Sequence, residues 1–262
     1  MIPLVSQLAT TWSSIADLCA ELSEEEWKRP TGCPGWSVQD QLSHLIDFEA
    51  FALGRPRPDH SVGDLSNARN DMGKMNEIGV DFRRPRSGAE VLAEFEEVTA
   101  ARLERLAALT EEKLDEETTT PIGPGTVRDL LTLRNMDTWS HEQDIRRALG
   151  RPGHTSGPEV DDAIAYWAQF LPYAVGKLAG APEGTTAVFL IGEHRPVAVE
   201  VVDGRGRAAT EIPDSPTVRL RMDSGAFAAL VGARTDARPD DVEVTGDQEL
   251  GRTIAAHLGF LP

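Results

Sequence analysis

Asp137 and His141 stand one helical turn apart in Thr126–Leu149, a stretch that reads as a single long helix. On a wheel of about 100° per residue both fall among Val127, Leu130, Ile145 and Ala148, inside the apolar face rather than on its rim. A carboxylate turned into a core costs several kcal/mol unless it is paired or holds a cation. A histidine one turn away is a frequent companion in metal sites. The pattern therefore calls for a third ligand, and His44 is the candidate. Two imidazoles and one carboxylate leave a coordination position for water or substrate, which is the donor set of a catalytic rather than a structural zinc site. Iron or nickel would suit the same donors. Against this stands a plainer arrangement, in which Asp137 and His141 bond only each other and a core water.

Arg134 lies one turn before the pair on the same face. It could bind a substrate carboxylate, steady Asp137, or snorkel to the end of its helix. Asp144 could orient a ligand histidine or form a salt bridge with Arg147 or Arg151. Cys33 reads as a buried structural thiol, and Trp36 and Trp139 as packing residues of a corner and an outer face. His60, His154, His194 and His257 lack a partner at ligand spacing and read as surface residues.

These residues need helices to place them. The first runs from about Pro3 to Leu22, with Val5, Leu8, Trp12, Ile15, Cys19 and Leu22 at three- and four-residue intervals. Ser23 and Glu26 have capping-box spacing, as do Ser87 and Glu90, which open a helix ending near Leu109. Ser37 and Asp40 cap the helix of His44, whose apolar stripe is Val38, Leu42, Leu45, Phe48 and Ala52. Residues 54–86 are polar and proline-broken, with one helical candidate near 67–78. So long a connection suggests a cover over the open side of the metal.

An internal echo ties these parts together. Leu22-Ser23-Glu24-Glu25, Pro34-Gly35 and Ser37-Val38-Gln39-Asp40 are matched by Leu109-Thr110-Glu111-Glu112, Pro124-Gly125 and Thr126-Val127-Arg128-Asp129. Two such units cannot bury their apolar faces separately, so a four-helix bundle over residues 1–153 is expected, with His44 brought from one half towards Asp137 and His141 of the other. Beyond the Gly150–Gly153 turn cluster the pattern changes. A helix at 158–178, alternating runs at 186–191 and 197–202, a turn at Asp203-Gly204, a strand at 217–222 and helices at 224–231 and 247–258 make 154–262 a smaller α+β domain.

The formal net charge of −17 argues against a phosphate-backbone partner, so no nucleic acid is expected. Two cysteines suit a reducing compartment, and no run has the roughly 20 apolar residues of a membrane span. A cytoplasmic location without membrane partners follows as the expectation.

Thr31-Gly32-Cys33-Pro34-Gly35-Trp36-Ser37-Val38 through His44, together with Asp137 through Arg146, resembles the mycothiol-dependent maleylpyruvate isomerase family within the wider DinB-like metal-binding bundles. The resemblance covers roughly the first 150 residues, and the remainder is loosely similar to sterol-carrier folds. It implies a metal triad of one histidine plus an E-x-x-x-H pair, matched here by His44, Asp137 and His141 with Asp for Glu. It also implies a mycothiol-like thiol as co-substrate and an isomerase or S-transferase acting on a small electrophile. A metal-dependent hydrolase using the same residues, or a non-catalytic binding protein stabilised by its metal, is the alternative.

Overall fold

The computed structural model describes residues 1–260 and divides into two compact units, Met1–Gly153 and the residues from His154 onward. The first unit is built on four long helices: α1 (Pro3–Cys19), α3 (Val38–Ala52), α5 (Gly88–Ala107) and α6 (Val127–Leu149). Helix α1 packs on α5 and α6, and α3 does the same from the other side. Leu8, Trp12, Ile15, Leu42, Leu45, Phe95, Val98, Leu131 and Ile145 share one core between them. The short α2 (Glu24–Trp27) precedes α3, and α4 (Asp71–Arg83) lies along α3.

Local sequence sets the helix starts. Ser23, Ser37, Ser87 and Thr126 each accept from the backbone amide three residues on, while the Glu or Asp at that position accepts from the cap residue's own amide. Each box satisfies two donors that a helix start leaves orphaned. Gly150 ends α6 in the left-handed conformation, φ 65°, after Arg146 and Arg147.

The predicted echo is present in the backbone. Before α3, Pro30 bridges Ser37 antiparallel, and before α6 a hairpin of β1 (Glu117–Thr120) and β2 (Gly123–Thr126) occupies the same place. Val38 N donates to Arg29 O and Val127 N to Glu116 O, both at 3.0 Å, so the two halves enter their second helices alike. The hairpin was not anticipated, because its proline- and glycine-rich second strand carries no alternating apolar signal.

Helices α3 and α6 are buried on nearly every side, unlike ordinary amphipathic helices. Gln39, Gln41, Ser43, His44, Asp47 and Glu49 of α3, and Arg134 through Ser140 and Glu142 through Asp144 of α6, sit inside with few exceptions. This corrects the placing of Trp139 on an outer face: it is fully buried. It also shows that the apolar face read from Val127, Leu130 and Ala148 is a half-buried flank.

The second unit has α7 (Pro158–Ala168), then α8 (Leu171–Tyr173) running into a π-helical turn (Ala174–Leu178), where one longer helix was expected. Strands β3 (Thr186–Ile191), β4 (Val197–Val202), β5 (Arg205–Ala208), β6 (Val218–Met222) and β7 (Glu243–Gly246) form one sheet in the order β5-β4-β3-β6-β7. Strand β3 pairs parallel with β6, placing Phe189 opposite Leu220, and antiparallel with β4, while the other pairs are antiparallel. Ala187, Val188, Phe189 and Ile191 are all buried, the near-continuous burial of a central strand. Helices α9 (Ser224–Val231) and α10 (Gln248–Ala256) complete the unit. His154 and His194 are not surface side chains here: they are 11% and 7% exposed, bonded to Glu159 and Asp161. Among the described residues no helix is long and apolar enough to cross a membrane.

Candidate functional site

Helix α3 presents His44 and helix α6 presents Asp137 and His141 to a common point. One nitrogen from each histidine and one Asp137 oxygen lie within 4.8 Å of one another. His44 Nε2 is 3.3 Å from Asp137 Oδ2, and His141 Nε2 is 3.4 Å from Asp137 Oδ1. The imidazole centroids are 4.8 Å apart, edge to face. The histidine side chains are 9% and 8% exposed, whereas that of Asp137 is 30% exposed, so the cluster opens to solvent on the carboxylate side.

Two imidazoles and one carboxylate are the donor types of a divalent-cation site with an open position. The 3.3 and 3.4 Å separations run to different oxygens of Asp137, and one ligand atom from each residue lies within 4.8 Å of the others. In donor chemistry and convergence the residues fit such an ion.

Charges around the cluster order its groups. Burial alone would raise the Asp137 carboxyl, but the charges of His141 and Arg134 hold it well below the usual carboxylate range. Burial pushes the His44 imidazole down. Burial acts the same way on His141, and there the Asp137 and Asp144 carboxylates overcome it and raise the imidazole.

Arg134 is 3% exposed and does not snorkel. Its Nη1 donates to Asp137 Oδ2 at 2.6 Å and its Nε to Glu49 Oε1 at 2.9 Å, with the guanidinium 3.8 Å above the Phe48 ring. Glu49 also accepts from Arg102 Nε at 3.1 Å. A buried file of alternating charge thus runs from α5 through α3 to Asp137. Arg134 Nη2 is buried and makes no hydrogen bond. Asp144 fills both roles foreseen for it, facing His141 Nδ1 at 3.4 Å and accepting from Arg147 at 2.7 Å.

The parts played by four side chains, Trp36, Glu77, Asn67 and Gln41, were missed. The Trp36 ring lies 5.2 Å from that of His44 and 5.8 Å from that of His141, so it walls the site rather than merely filling a corner. Its Nε1 donates to Glu77 Oε1 at 2.5 Å, from α4 in the long connection, and Asn67 Nδ2 donates to the same oxygen at 2.7 Å. Gly35 turns the chain into Trp36 at φ 77°, where a Cβ would meet Asn67 at 2.7 Å. Gln41 Oε1 lies 2.6 Å from His141 Nδ1. Gln41 could have been noticed, since it is a polar residue inside a helix stripe three positions before His44. Glu77 gave no such signal: it falls in the helical candidate near 67–78, and nothing in the sequence ties that piece to Trp36. Cys33 is half-buried, not the fully buried thiol expected, and Cys19 is the buried one, its thiol pushed up to about 12 chiefly by burial.

Comparisons with known proteins agree with this architecture. Two uncharacterised proteins of Mycobacterium tuberculosis, from strains CDC 1551 / Oshkosh and ATCC 25618 / H37Rv, are each 30% identical over 152 residues, 56% of this chain and 57% of theirs. The chain thus spans a little over half the length of the curated relatives it matches. The crystal structure of the mycothiol-dependent maleylpyruvate isomerase superposes with a TM-score of 0.53 at 15% identity, covering 93% of both chains. A histidine-to-alanine mutant of it gives 0.52 at 14% identity with the same coverage. At such identities the likeness is one of fold. Residues 8–146 match the family described as mycothiol maleylpyruvate isomerase N-terminal domain, and residues 161–253 match the C-terminal domain described with it. A bundle carrying a His-Asp-His cluster, followed by a sheet-containing unit and matched over nearly its whole length, belongs to the mycothiol maleylpyruvate isomerase family.

Proposed function

We propose that this chain is a metal-dependent enzyme that uses a low-molecular-weight thiol of the mycothiol type for isomerisation or S-transfer on a small electrophile. His44, Asp137 and His141 hold the ion, and zinc is the metal these donors suit best, with iron or nickel as substitutes. The observation that carries the reading is the convergence of three ligand atoms within 4.8 Å with only the carboxylate side open. When bound, such a cation supplies Lewis acidity that keeps a thiol in its nucleophilic thiolate form.

The chain's own residues shape the rest. Trp36 closes one face of the two imidazoles and limits water there. Arg134 fixes Asp137 through Nη1 and is the residue assigned to a substrate carboxylate entering beside Asp137, its buried Nη2 making no hydrogen bond within the protein. The connection carrying Asn67 and Glu77 clasps Trp36 and serves as a cover on that side. A cytoplasmic location follows from dependence on a reduced thiol.

Cobalt in place of zinc tests the proposal. The resting cobalt form has nitrogen and oxygen donors only, and adding mycothiol is expected to produce a saturable near-ultraviolet sulfur-to-cobalt band, unchanged in Cys33→Ser. No band at saturating thiol would sink thiol activation and leave hydrolysis or metal-stabilised ligand binding. A band before thiol is added would make Cys33 a ligand and close the site.

A further inference from the structure

His141 is held on the side away from Asp137, and that support leads out of the cluster. Gln41 is completely buried on α3, one turn before His44. Its Oε1 lies 2.6 Å from His141 Nδ1, and its Nε2 donates to Thr31 Oγ1 at 2.7 Å. Thr31 Oγ1 donates in turn to Trp36 O at 2.9 Å and accepts from Cys33 N at 3.2 Å. Trp36 is the residue whose ring walls both imidazoles, so the chain of bonds returns to the site it left.

We infer that Gln41 is a positioning residue for His141, fixing the Nδ1–H tautomer so that Nε2 carries the lone pair towards Asp137 and the ion. This rests on the proposed function, since a tautomer matters only if Nε2 is a ligand atom. An imidazole can offer a lone pair at one nitrogen only while the other keeps its proton, and a buried N–H needs an acceptor. Gln41 Oε1 is that acceptor. Its orientation follows from Thr31, whose hydroxyl proton is used on Trp36 O, leaving the oxygen to receive Gln41 Nε2. Asp144 Oδ2 is the rival acceptor, but it is 3.4 Å away and its other oxygen is held by Arg147 at 2.7 Å. The same bonds tie a second-half ligand to the first-half corner, across 100 residues of sequence.

The test compares zinc affinity, measured by competition with a chromophoric chelator, in the native chain and in Gln41→Leu, Gln41→Glu, Thr31→Val and Asp144→Asn, with the thermal midpoint of each metal-free protein as a folding control. Loss of an outer hydrogen-bond partner typically weakens a metal site about 10–100-fold, and Gln41→Leu is expected in that range. Gln41→Glu keeps an acceptor for Nδ1–H and should bind zinc as tightly as the native chain, although it cannot donate to Thr31. Thr31→Val and Asp144→Asn should each weaken binding less than Gln41→Leu. Nitrogen-15 spectra of the native zinc-loaded chain should show the His141 ring proton on Nδ1, a readout that needs no variant.

A ring proton on Nε2, native affinity in Gln41→Leu, or equal weakening in Gln41→Leu and Gln41→Glu would each overturn the assignment. A larger loss in Asp144→Asn than in Gln41→Leu would transfer the role to Asp144 and overturn it as well. Zinc uptake that survives His44→Ala would sink the proposed function whatever Gln41 does. Unchanged affinity in Gln41→Leu beside a triad that is required sinks only the role of Gln41.

Discussion

The two corners that lead into α3 and α6 start from the same plan and end differently. Each brings the chain back on itself, donates the first helical amide to the residue before the corner, and caps the helix with a hydroxyl and a third-position aspartate. The first corner is a wider loop, residues 31–36, closed by one bridge, Pro30 to Ser37, and it delivers Trp36 onto the imidazoles. The second is a hairpin with four paired positions whose tip residue, Ile122, is 71% exposed. A repeated backbone device therefore carries site chemistry in one half and only holds the helix entrance in the other. Burial makes the difference: α4 and the loop before it cover the first corner, Glu77 reaching it from the helix and Asn67 from the loop.

The largest expected effect asks whether both halves are needed for one site. Alanine at His44, the candidate ligand from the first half, should abolish stoichiometric zinc binding in elemental analysis as completely as alanine at Asp137 or His141. The loss should exceed the roughly 10–100-fold that outer partners are worth. Retention of zinc in His44→Ala alone would confine the site to the second half. The corners themselves come next. Trp36→Ala should cost about 3–5 kcal/mol in urea unfolding, since it empties a walled position and strips Glu77 of a donor. Ile122→Ala at the other corner should stay within about 0.5 kcal/mol of native. Similar losses at the two positions would erase the contrast.

The shared caps should behave alike. Ser37→Ala and Thr126→Ala each remove the same capping oxygen and should each cost about 1 kcal/mol. The smallest effect separates the two cap aspartates by pH. Burial raises the Asp40 carboxyl, while hydrogen bonds from Thr126 lower that of exposed Asp129. Asp129, depressed in the folded state, adds stability above about pH 4 that disappears as pH falls through its folded value. Asp40 has the opposite sign: the folded chain binds its proton more tightly, so its contribution is favourable at low pH and lost as pH rises through its folded value. Carbon-detected titration should place Asp40 above and Asp129 below the ordinary carboxylate range, and matching midpoints would contradict this difference in burial.

How far the sequence led depended on whether each signal was local. Capping boxes are four-residue patterns, and those at Ser23, Ser37, Ser87 and Thr126 were all readable before the structure. The repeat named the helices that meet, and His44, Asp137 and His141 lie together in the structure. Edge strands β5 and β7 were missed because RGRA and EVTG are largely exposed and do not alternate. The long helix expected at 158–178 breaks after Ala168, through Pro172 and the π-helical turn. The wheel misjudged α6 because a wheel assigns one inside and one outside. A helix enclosed on nearly all sides has no such division, so Trp139 was turned outward on paper and inward in the fold. Glu77 acts on the site through Trp36, and no spacing in the sequence links residues 36 and 77.

The sequence separation of 93 from His44 to Asp137 bears on how the chain acquires its shape. Closing a loop of that length carries an entropic cost that rises only slowly with further length and that the unfolded chain does not meet by chance. Helix α6 alone holds Asp137 and His141 together, so the three side chains meet only once α3, with His44, has packed against α6. A signal that needs all three therefore reports the packing of α3 on α6. An ion seated there would act as a cross-link between distant parts of the chain, slowing the separation of α3 from α6 more than it alters either helix alone.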